Sequence, residues 1–470
     1  MKNMKAYSLL LFLLCCNRAF SQDTAVVLTL DAFFAQIIRN HPVAKQAHLI
    51  NEQARQQLRL ARAAFDPSIK GDFNQKQYDG KTYYTQTDAN IIWPSWFGAE
   101  FKAGLENNSG LYLNPQENVP PNGLYNAGVS VPVLQGFMFD TRRAALAQAK
   151  IMLRYSEAEQ QQALNKLLFE ATKVYAEWYK AYFVLLIKRE GLENADNNLV
   201  AIRRRAQEGD LPWIDTTEAY TERQRRRLDV SQSVAYYNNS RNMVAQYLWD
   251  ENINPVFLRP EVIPQSSFNI NIPAEKNLND LNRFISANFY FQQLNFKLQH
   301  LEIDQRLWRE NTKPAISIQY NYLFPVDRYL EAPFVAQGYK WGIQMNMPIT
   351  WRKELSKRRI ASIKVEDARF EVKNFENTLR TEIANSENLV RNINQLIVLQ
   401  NDIVSGTEKL QQAERQRFGM GESTFFILNM RENKLLDEKQ KNISLKAELL
   451  KQNAQYLYLL GDLTDEFVKE

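Results

Sequence analysis

Two stretches of the chain alternate strictly between apolar and polar residues: AISIQYNYLF at 315–324 and YKWGIQMNMP at 339–348. A period of two is typical of a β-strand with one apolar and one polar face. Strands of this length suit the crossing of an outer membrane, with apolar side chains toward lipid and polar ones toward a lumen. The side chains predicted to face lipid are Ile318, Tyr320, Tyr322, Trp341, Ile343 and Met345.

Long helices are predicted for most of the remaining chain. Thr141–Gln207 contains no proline and a single glycine, and Arg352–Arg417 likewise contains no proline and a single glycine. A helix of ~65 residues spans on the order of 100 Å, which is too long to fold into a compact globule. A second helical stretch follows each long helix after a glycine-containing turn. We therefore predict two antiparallel helical hairpins, at 141–250 and 352–460.

The chain also contains an internal repeat. Pro132 aligns with Pro348, and Gly209 aligns with Gly421 at nearly the same offset. Each copy has the order helix, strands, long helix, tight turn and returning helix. The predicted division is a signal peptide at 1–21, a first repeat at 22–250 with strands within 67–133, a proline-rich linker at 251–277, a second repeat at 278–463 and a C-terminal tail at 464–470.

The number of strands in the first repeat stays open at this stage. Its strand interval, 67–132, is about twice as long as the corresponding interval 314–348. Because each repeat begins and ends on the helical side, it must cross the membrane an even number of times. The first repeat therefore has two strands and a large external loop, or four strands separated by turns such as Pro94-Ser95.

The N-terminus has the pattern of a secretory signal peptide. Lys2 and Lys5 precede an apolar run at 7–16, and small residues at 19–21 suit cleavage before Gln22. Both cysteines of the chain lie in this segment. The exported protein is thus expected to have neither disulfides nor thiol chemistry, and lipidation of the N-terminus stays open.

Charge and motif content argue against several classes of protein. The formal charge of +5 falls to +2 without Lys2, Lys5 and Arg18, which disfavours nucleic-acid binding. The basic runs 203–205 and 225–227 lie beside acidic residues and are predicted to be solvated helix faces. The sequence lacks the common hydrolase, zinc-protease and phosphate-binding motifs, and its 3 histidines form no ligand pattern. We expect no catalysis, no cofactor and no metal.

Several segments together resemble the TolC family of outer-membrane efflux channels. They are LDAFFAQIIRNHPVAKQA near the start, VPVLQGFMFDTRRA after the first strands, the two glycine turns and the terminal YLYLLGDL. The resemblance implies a mainly α fold with membrane β-strands, in which a homotrimer forms an outer-membrane β-barrel continued by a periplasmic α-helical barrel. It implies a passive exit duct of an efflux or type I secretion system, served by a periplasmic adaptor and an inner-membrane transporter. The family analogy favours two strands in the first repeat.

The resemblance also assigns candidate sites to the far ends of the helical hairpins. The residues that would contact the adaptor are Gly209, Asp210, Gly421 and Glu422. The family's acidic residues six and nine positions after the second tip glycine are replaced here by Ile427 and Met430, so the charged clasp is absent from the second repeat. The candidate residues for a constriction of the periplasmic entrance are Asp215, Glu218, Phe418 and Phe425.

Two other classes serve as alternatives. A periplasmic coiled-coil adaptor would have one helical hairpin flanked by glycine-rich β-domains, whereas this chain predicts two hairpins. A helical periplasmic enzyme would need a pair of ionisable residues that differs from ordinary helix-surface charge, and the sequence offers none. The expected location is the outer membrane, with the helices extending into the periplasm.

Overall fold

The structure, a computed structural model, describes residues 26–268, 278–325, 338–461 and 463. The predicted signal peptide, the tail from 464 and the end of the predicted linker lie outside these residues. The described chain falls into two compact units. The first contains residues up to 45, 164–276 and 382 onward, and the second contains 46–163 and 277–381. Each unit takes segments from both sequence repeats, so units and repeats do not coincide.

Aromatic side chains form the core of the first unit. Helix α1 (Leu30–Asn40) begins after Thr29, whose hydroxyl accepts a hydrogen bond from the Ala32 amide at 3.2 Å. Its apolar residues recur every three or four positions and face inward. The long helix α3 (Thr141–Gln207) contributes three further aromatic side chains to this core. The fully buried side chains include Phe33, Phe34, Ile37, Tyr175, Trp178 and Tyr179.

Part of the proline-rich segment is bonded to this core. Strand β6 (Val262–Pro264) pairs in parallel with strand β1 (Val26–Leu28). The Tyr175 hydroxyl donates a hydrogen bond to the Leu28 carbonyl at 2.5 Å and accepts one from the Gln265 amide at 3.2 Å. The segment is therefore anchored by hydrogen bonds as far as Gln265, and the Phe268 ring packs against Tyr175 and Tyr179.

Two helical hairpins account for nearly half of the chain. Helix α3 has 67 residues and is followed by α4 (Trp213–Ala245), while α7 (Arg352–Gly419) has 68 residues and is followed by α8 (Phe425–Leu460). Each long helix measures about 100 Å at 1.5 Å per residue. Helix α8 ends at Gly461, whose φ of +80° closes the last turn. Among the described residues, no helix is both long enough and apolar enough to span a membrane.

The second unit contains an antiparallel sheet of six strands. In spatial order they are β2 (Ser68–Tyr78), β3 (Lys81–Pro94), β4 (Glu100–Ser109), β5 (Leu124–Pro132), β7 (Ala315–Pro325) and β8 (Tyr339–Asn346). The first repeat thus contributes four strands and the second contributes two. Family analogy, which favoured two strands in the first repeat, gave the wrong answer, and the four-strand alternative is correct.

Two tight turns create the additional pair of strands. Between β2 and β3, Asp79 has φ 53° and Gly80 has φ 69°, the backbone pattern of a type I′ turn that matches the twist of a hairpin. Between β3 and β4, the amide and the hydroxyl of Ser95 donate to the Ala99 carbonyl at 2.8 and 2.6 Å. Gly98 supplies the positive φ of +99° that this turn requires.

Three shorter α-helices also lie in the described residues: α2 (Pro42–Ala63), α5 (Leu278–Ala287) and α6 (Phe289–Glu310). Helix α6 begins after Asn288, whose side chain accepts a hydrogen bond from the Phe291 amide at 3.0 Å. In the second unit, amide side chains join the helices, as where Gln148 donates to Asp304 at 2.6 Å and Gln305 to Ser362 at 3.2 Å. The glutamine-rich composition of the helices is therefore used for helix packing.

Candidate functional site

The two hairpin turns of the first unit have the same backbone motif. The Asp210 amide donates to the Arg205 carbonyl and the Glu422 amide to the Arg417 carbonyl, each at 2.9 Å. The intervening Gly209 and Gly421 have φ of +86° and +81°. This is the Schellman arrangement, in which a left-handed glycine ends the helix. Both predicted tip glycines therefore occupy positions where a β-carbon costs backbone strain, although neither has a neighbouring atom within 4 Å of that carbon.

An apolar cluster joins the two turns within the first unit. Its buried members are Leu199, Ile202, Ala219, Phe418, Phe425 and Leu428, and Leu211 packs against them. Arg205 covers Phe418, because its guanidinium lies 5.2 Å from the ring centroid and donates to the Phe418 carbonyl at 3.1 Å. Only 8% of Phe418 and 3% of Phe425 are exposed, so these two candidate constriction residues pack between helices of one chain.

Other side chains at the tips are accessible. Asp210 and Glu422 are exposed, and Asp215 and Glu218 are half-buried. Large apolar side chains at the start of α4 and α8 are also exposed, namely Trp213, Ile214, Phe426 and Met430. Helices α4 and α8 border an open groove of about 620 Å³, lined by residues that include Ile214, Glu218, Phe426 and Met430. The roles of the four constriction candidates stay predictions.

A buried ionic layer lies about two to three helical turns from the tips. Glu222 and Arg226 of α4 form an ion pair at 2.9 Å, with only 4% and 7% of their side chains exposed. Arg226 also donates to the Asn433 side chain of α8 at 2.6 Å. The prediction that the basic run 225–227 is a solvated face is therefore wrong for Arg226. The signal available in the sequence was the i, i+4 spacing of Glu222 and Arg226.

A second buried carboxylate belongs to the same layer. Glu432 of α8 accepts a hydrogen bond from Asn198 of α3 at 3.0 Å and lies 3.8 Å from the Arg415 guanidinium of α7. Burial raises the pKa of Glu432, and Arg415 opposes that shift. Residues of all four hairpin helices thus meet in one polar layer beside the apolar cluster.

The sheet of the second unit has an apolar face. Strand register places Trp93, Phe101, Val129, Tyr320 and Trp341 side by side in one row across five strands. The four aromatic members of this row are between 41% and 63% exposed. The six residues predicted to face lipid all lie on this face. Across β7 and β8 the pairs on this face are Ile316 with Met345, Ile318 with Ile343, Tyr320 with Trp341 and Tyr322 with Tyr339. An exposed apolar surface of this extent is typical of a partner or membrane interface.

The opposite face of the sheet is polar. One row across it contains Lys102, Gly128, Asn321 and Lys340, and the second row from it contains Asp72, Asp88 and Glu106. Two glycines sit beneath asparagine side chains: a β-carbon at Gly104 would lie 2.1 Å from Asn90 Oδ1, and one at Gly128 would lie 2.0 Å from Asn321 Oδ1. Gln319 and Gln344 share this face with them. The alternation along each strand therefore produces two chemically distinct surfaces.

Among the described residues, no set of three or more His, Cys, Asp or Glu side chains is arranged to hold a metal ion. His41 stacks on Tyr247 at 5.8 Å between ring centroids, and burial lowers its pKa. His48 contacts the Gln160 side chain at 2.8 Å. His41 therefore takes part in ring packing, and His48 takes part in hydrogen bonding between side chains.

Several solved structures with the same fold are named as outer-membrane channels. The Campylobacter jejuni channel CmeC matches with a TM-score of 0.66 and 13% identity, over 92% of this chain and 86% of that chain. VceC of Vibrio cholerae matches with a TM-score of 0.64 and 13% identity, over 92% of this chain and 96% of that chain. The open state of Neisseria gonorrhoeae MtrE matches with a TM-score of 0.62 and 14% identity, over 94% of this chain and 93% of that chain. No protein-family model and no curated protein matches the sequence. The predicted resemblance to TolC-like channels is confirmed at the level of the fold.

Proposed function

We propose that this chain is the subunit of a trimeric outer-membrane channel that serves as the passive exit duct of a tripartite efflux or type I secretion system. Strands of three copies would close one β-barrel in the outer membrane. The helical hairpins would continue the duct through the periplasm, where an adaptor would join their tips to an inner-membrane transporter. The chain itself would perform no chemistry, as expected of a duct.

The observation that carries this proposal is the two-faced sheet with two open edges. Among the described strands, β2 and β8 each pair on one side only. They run in opposite directions, so β8 of one copy is oriented to pair antiparallel with β2 of the next. About eight strands is the smallest closed barrel, so the six strands of one chain are too few. Three copies would supply eighteen, with the apolar face toward lipid and the polar face toward the lumen.

The fold favours a channel over the alternative of a periplasmic adaptor. The chain has two long helical hairpins, α3–α4 and α7–α8, and a membrane-sized sheet, whereas an adaptor would have one hairpin. Its structural neighbours CmeC and MtrE are named as outer-membrane channels, and VceC is named as an outer-membrane protein. None is named as an enzyme, which supports the non-enzymatic proposal.

The role of the tips is tested by Gly421→Arg. The left-handed glycine is exposed and has open space where a β-carbon would lie, so an arginine there strains one turn and adds bulk without displacing the apolar cluster. We expect the trimer to assemble and insert, while crosslinking to the adaptor and substrate export fall together. Export is measured as substrate efflux from cells, and assembly as the amount of trimer in the outer membrane.

Gly421→Asn is the matched control for backbone strain, because asparagine tolerates the left-handed conformation and adds only a short side chain. Export by Gly421→Asn should stay close to that of the unmodified protein. Loss of trimer in Gly421→Arg would mean that the glycine serves the fold alone. Normal export together with normal crosslinking in that variant would refute docking at this turn.

A further inference from the structure

The segment between β4 and β5 folds back over the polar face of the sheet. Gln86 of β3 and Asn108 of β4 are direct cross-strand partners on that face. Gln86 donates to the Glu117 carboxylate at 2.7 Å, and Asn108 donates to the Glu117 main-chain carbonyl at 2.9 Å. Both the side chain and the backbone of Glu117 are thus bound to polar-face residues.

The segment has a defined backbone rather than that of an open loop. A 3₁₀ turn spans Pro115–Glu117, and the Gly123 amide closes a further turn on the Pro120 carbonyl at 2.9 Å. At its start, the Tyr112 amide donates to the Tyr83 carbonyl at 3.1 Å, and the two rings stack with centroids 4.6 Å apart. Prolines and short hydrogen-bonded turns limit the conformations that the segment can adopt.

We propose that residues 110–123 form a constriction inside the outer end of the duct, and that this constriction selects for cations. The inference rests on the proposed function, since the polar face of the sheet becomes the lumen only when copies close a barrel. A segment held on that face occupies the passage instead of extending away from the strand ends. Three copies of the segment would narrow one passage.

The row next to Gln86 and Asn108 is acidic, and its negative charge favours cations over anions. Asp72 pairs in register with Asp88, and Asp88 pairs with Glu106, so three carboxylates lie side by side across β2, β3 and β4. Like charges directly opposite one another are unfavourable in a sheet, and mobile cations reduce their repulsion. Glu117 lies one row further out. The lysines of the polar face lie on the other side of the carboxylates: Lys70 pairs with Asn90 in the next row, and Lys102 and Lys340 share the row beyond it.

This arrangement resembles the general design of cation-selective pores, in which rings of acidic side chains favour cations and exclude anions. The described residues hold no metal-binding cluster, so the carboxylates would act on ions in transit rather than on a bound ion. Cationic and neutral substrates would pass this end of the duct more readily than anionic ones.

The position of the segment is tested by a single cysteine at Gln116, an exposed residue of the 3₁₀ turn. The full-length variant is purified, reconstituted in planar lipid bilayers and treated with a cationic methanethiosulfonate reagent, with labelling checked by mass spectrometry. We expect the single-channel conductance to fall by about half, because the added group enters the narrowest part of the passage. Lys81→Cys, exposed at the start of β3, is the control whose labelling should leave the conductance unchanged.

Selectivity is tested with the reversal potential in a potassium chloride gradient. The unmodified protein should be cation-selective, and the triple variant Asp72→Asn, Asp88→Asn, Glu106→Gln should shift the reversal potential toward zero. Asp79→Asn removes a carboxylate from the β2–β3 turn, outside the proposed passage, and should cause no shift. If labelling at position 116 leaves the conductance unchanged and the triple variant keeps its cation selectivity, the proposed constriction is refuted while the proposed channel function stands. A protein that forms no channels at all would overturn the proposed function as well.

Discussion

Ile343→Lys is expected to prevent stable insertion of the protein into the outer membrane. Ile343 lies in β8 opposite Ile318, with 61% of its surface exposed on the apolar face. If that face meets lipid, a lysine there should destabilise the inserted state by about 2–4 kcal/mol near the middle of the bilayer. The measurement is the urea dependence of folding into lipid vesicles, together with the amount of protein in the outer-membrane fraction.

Gln344→Lys is the matched control, because it adds the same charge one residue further along the same strand. Gln344 pairs with Ser317 on the polar face, where a lysine would meet water in the lumen. This variant should insert normally and change only the conductance. If both lysine variants fail to the same degree, the assignment of the two faces to lipid and lumen is wrong.

Arg226→Ala is expected to cause a large local destabilisation of the hairpin tips. The substitution leaves the Glu222 carboxylate buried without its 2.9 Å partner and removes the bond to Asn433. Breaking one partner out of a buried ion pair typically costs about 3–5 kcal/mol. Amide hydrogen exchange in α4 around residues 219–228 should become correspondingly faster, while the sheet of the second unit keeps its protection.

Arg225→Ala is the control that removes the same charge from an exposed position instead of a buried one. Arg225 also contacts Glu222, at 2.6 Å, but 63% of its side chain is exposed. Because exposed ion pairs contribute little, hydrogen exchange in this variant should barely change. The double variant Glu222→Gln with Arg226→Met should recover most of the protection lost in Arg226→Ala, since it leaves no unpaired charge. Equal effects of Arg225→Ala and Arg226→Ala would refute a special role for the buried pair.

The sequence was most informative where structure depends on local periodicity. Strict alternation indicated strands at 315–324 and 339–348, and the structure has β-strands at Ala315–Pro325 and Tyr339–Asn346. Absence of proline and the position of the tip glycines indicated the long helices and their turns. These features depend on backbone conformation and on side-chain direction, which neighbouring residues determine.

The strand count of the first repeat shows where analogy was misleading. Asp79-Gly80 is a strong hairpin signal between two alternating stretches, and it was available in the sequence. This signal favours four strands over two. The extra strands, β3 and β4, have no counterpart in the described part of the second repeat, so neither the repeat nor the family analogy could supply them.

Contacts between distant segments were beyond the reach of sequence patterns. Burial of Arg226 depends on the approach of Asn433, more than two hundred residues away, and a basic triplet normally indicates a solvated surface. The binding of Glu117 to Gln86 likewise depends on the register of β3 against β4. Phe418 and Phe425 were recognised as candidates, but their burial follows from the meeting of two turns that lie far apart in the chain.

The number of chains in the membrane-extracted protein tests the central claim most directly. Native mass spectrometry of protein taken from the outer membrane in mild detergent should give one species of three chains, which heating converts to single chains. Three chains are expected because the six strands of one copy leave both β2 and β8 open. A single chain, or a protein that leaves the membrane in a salt or carbonate wash, would contradict the trimeric duct.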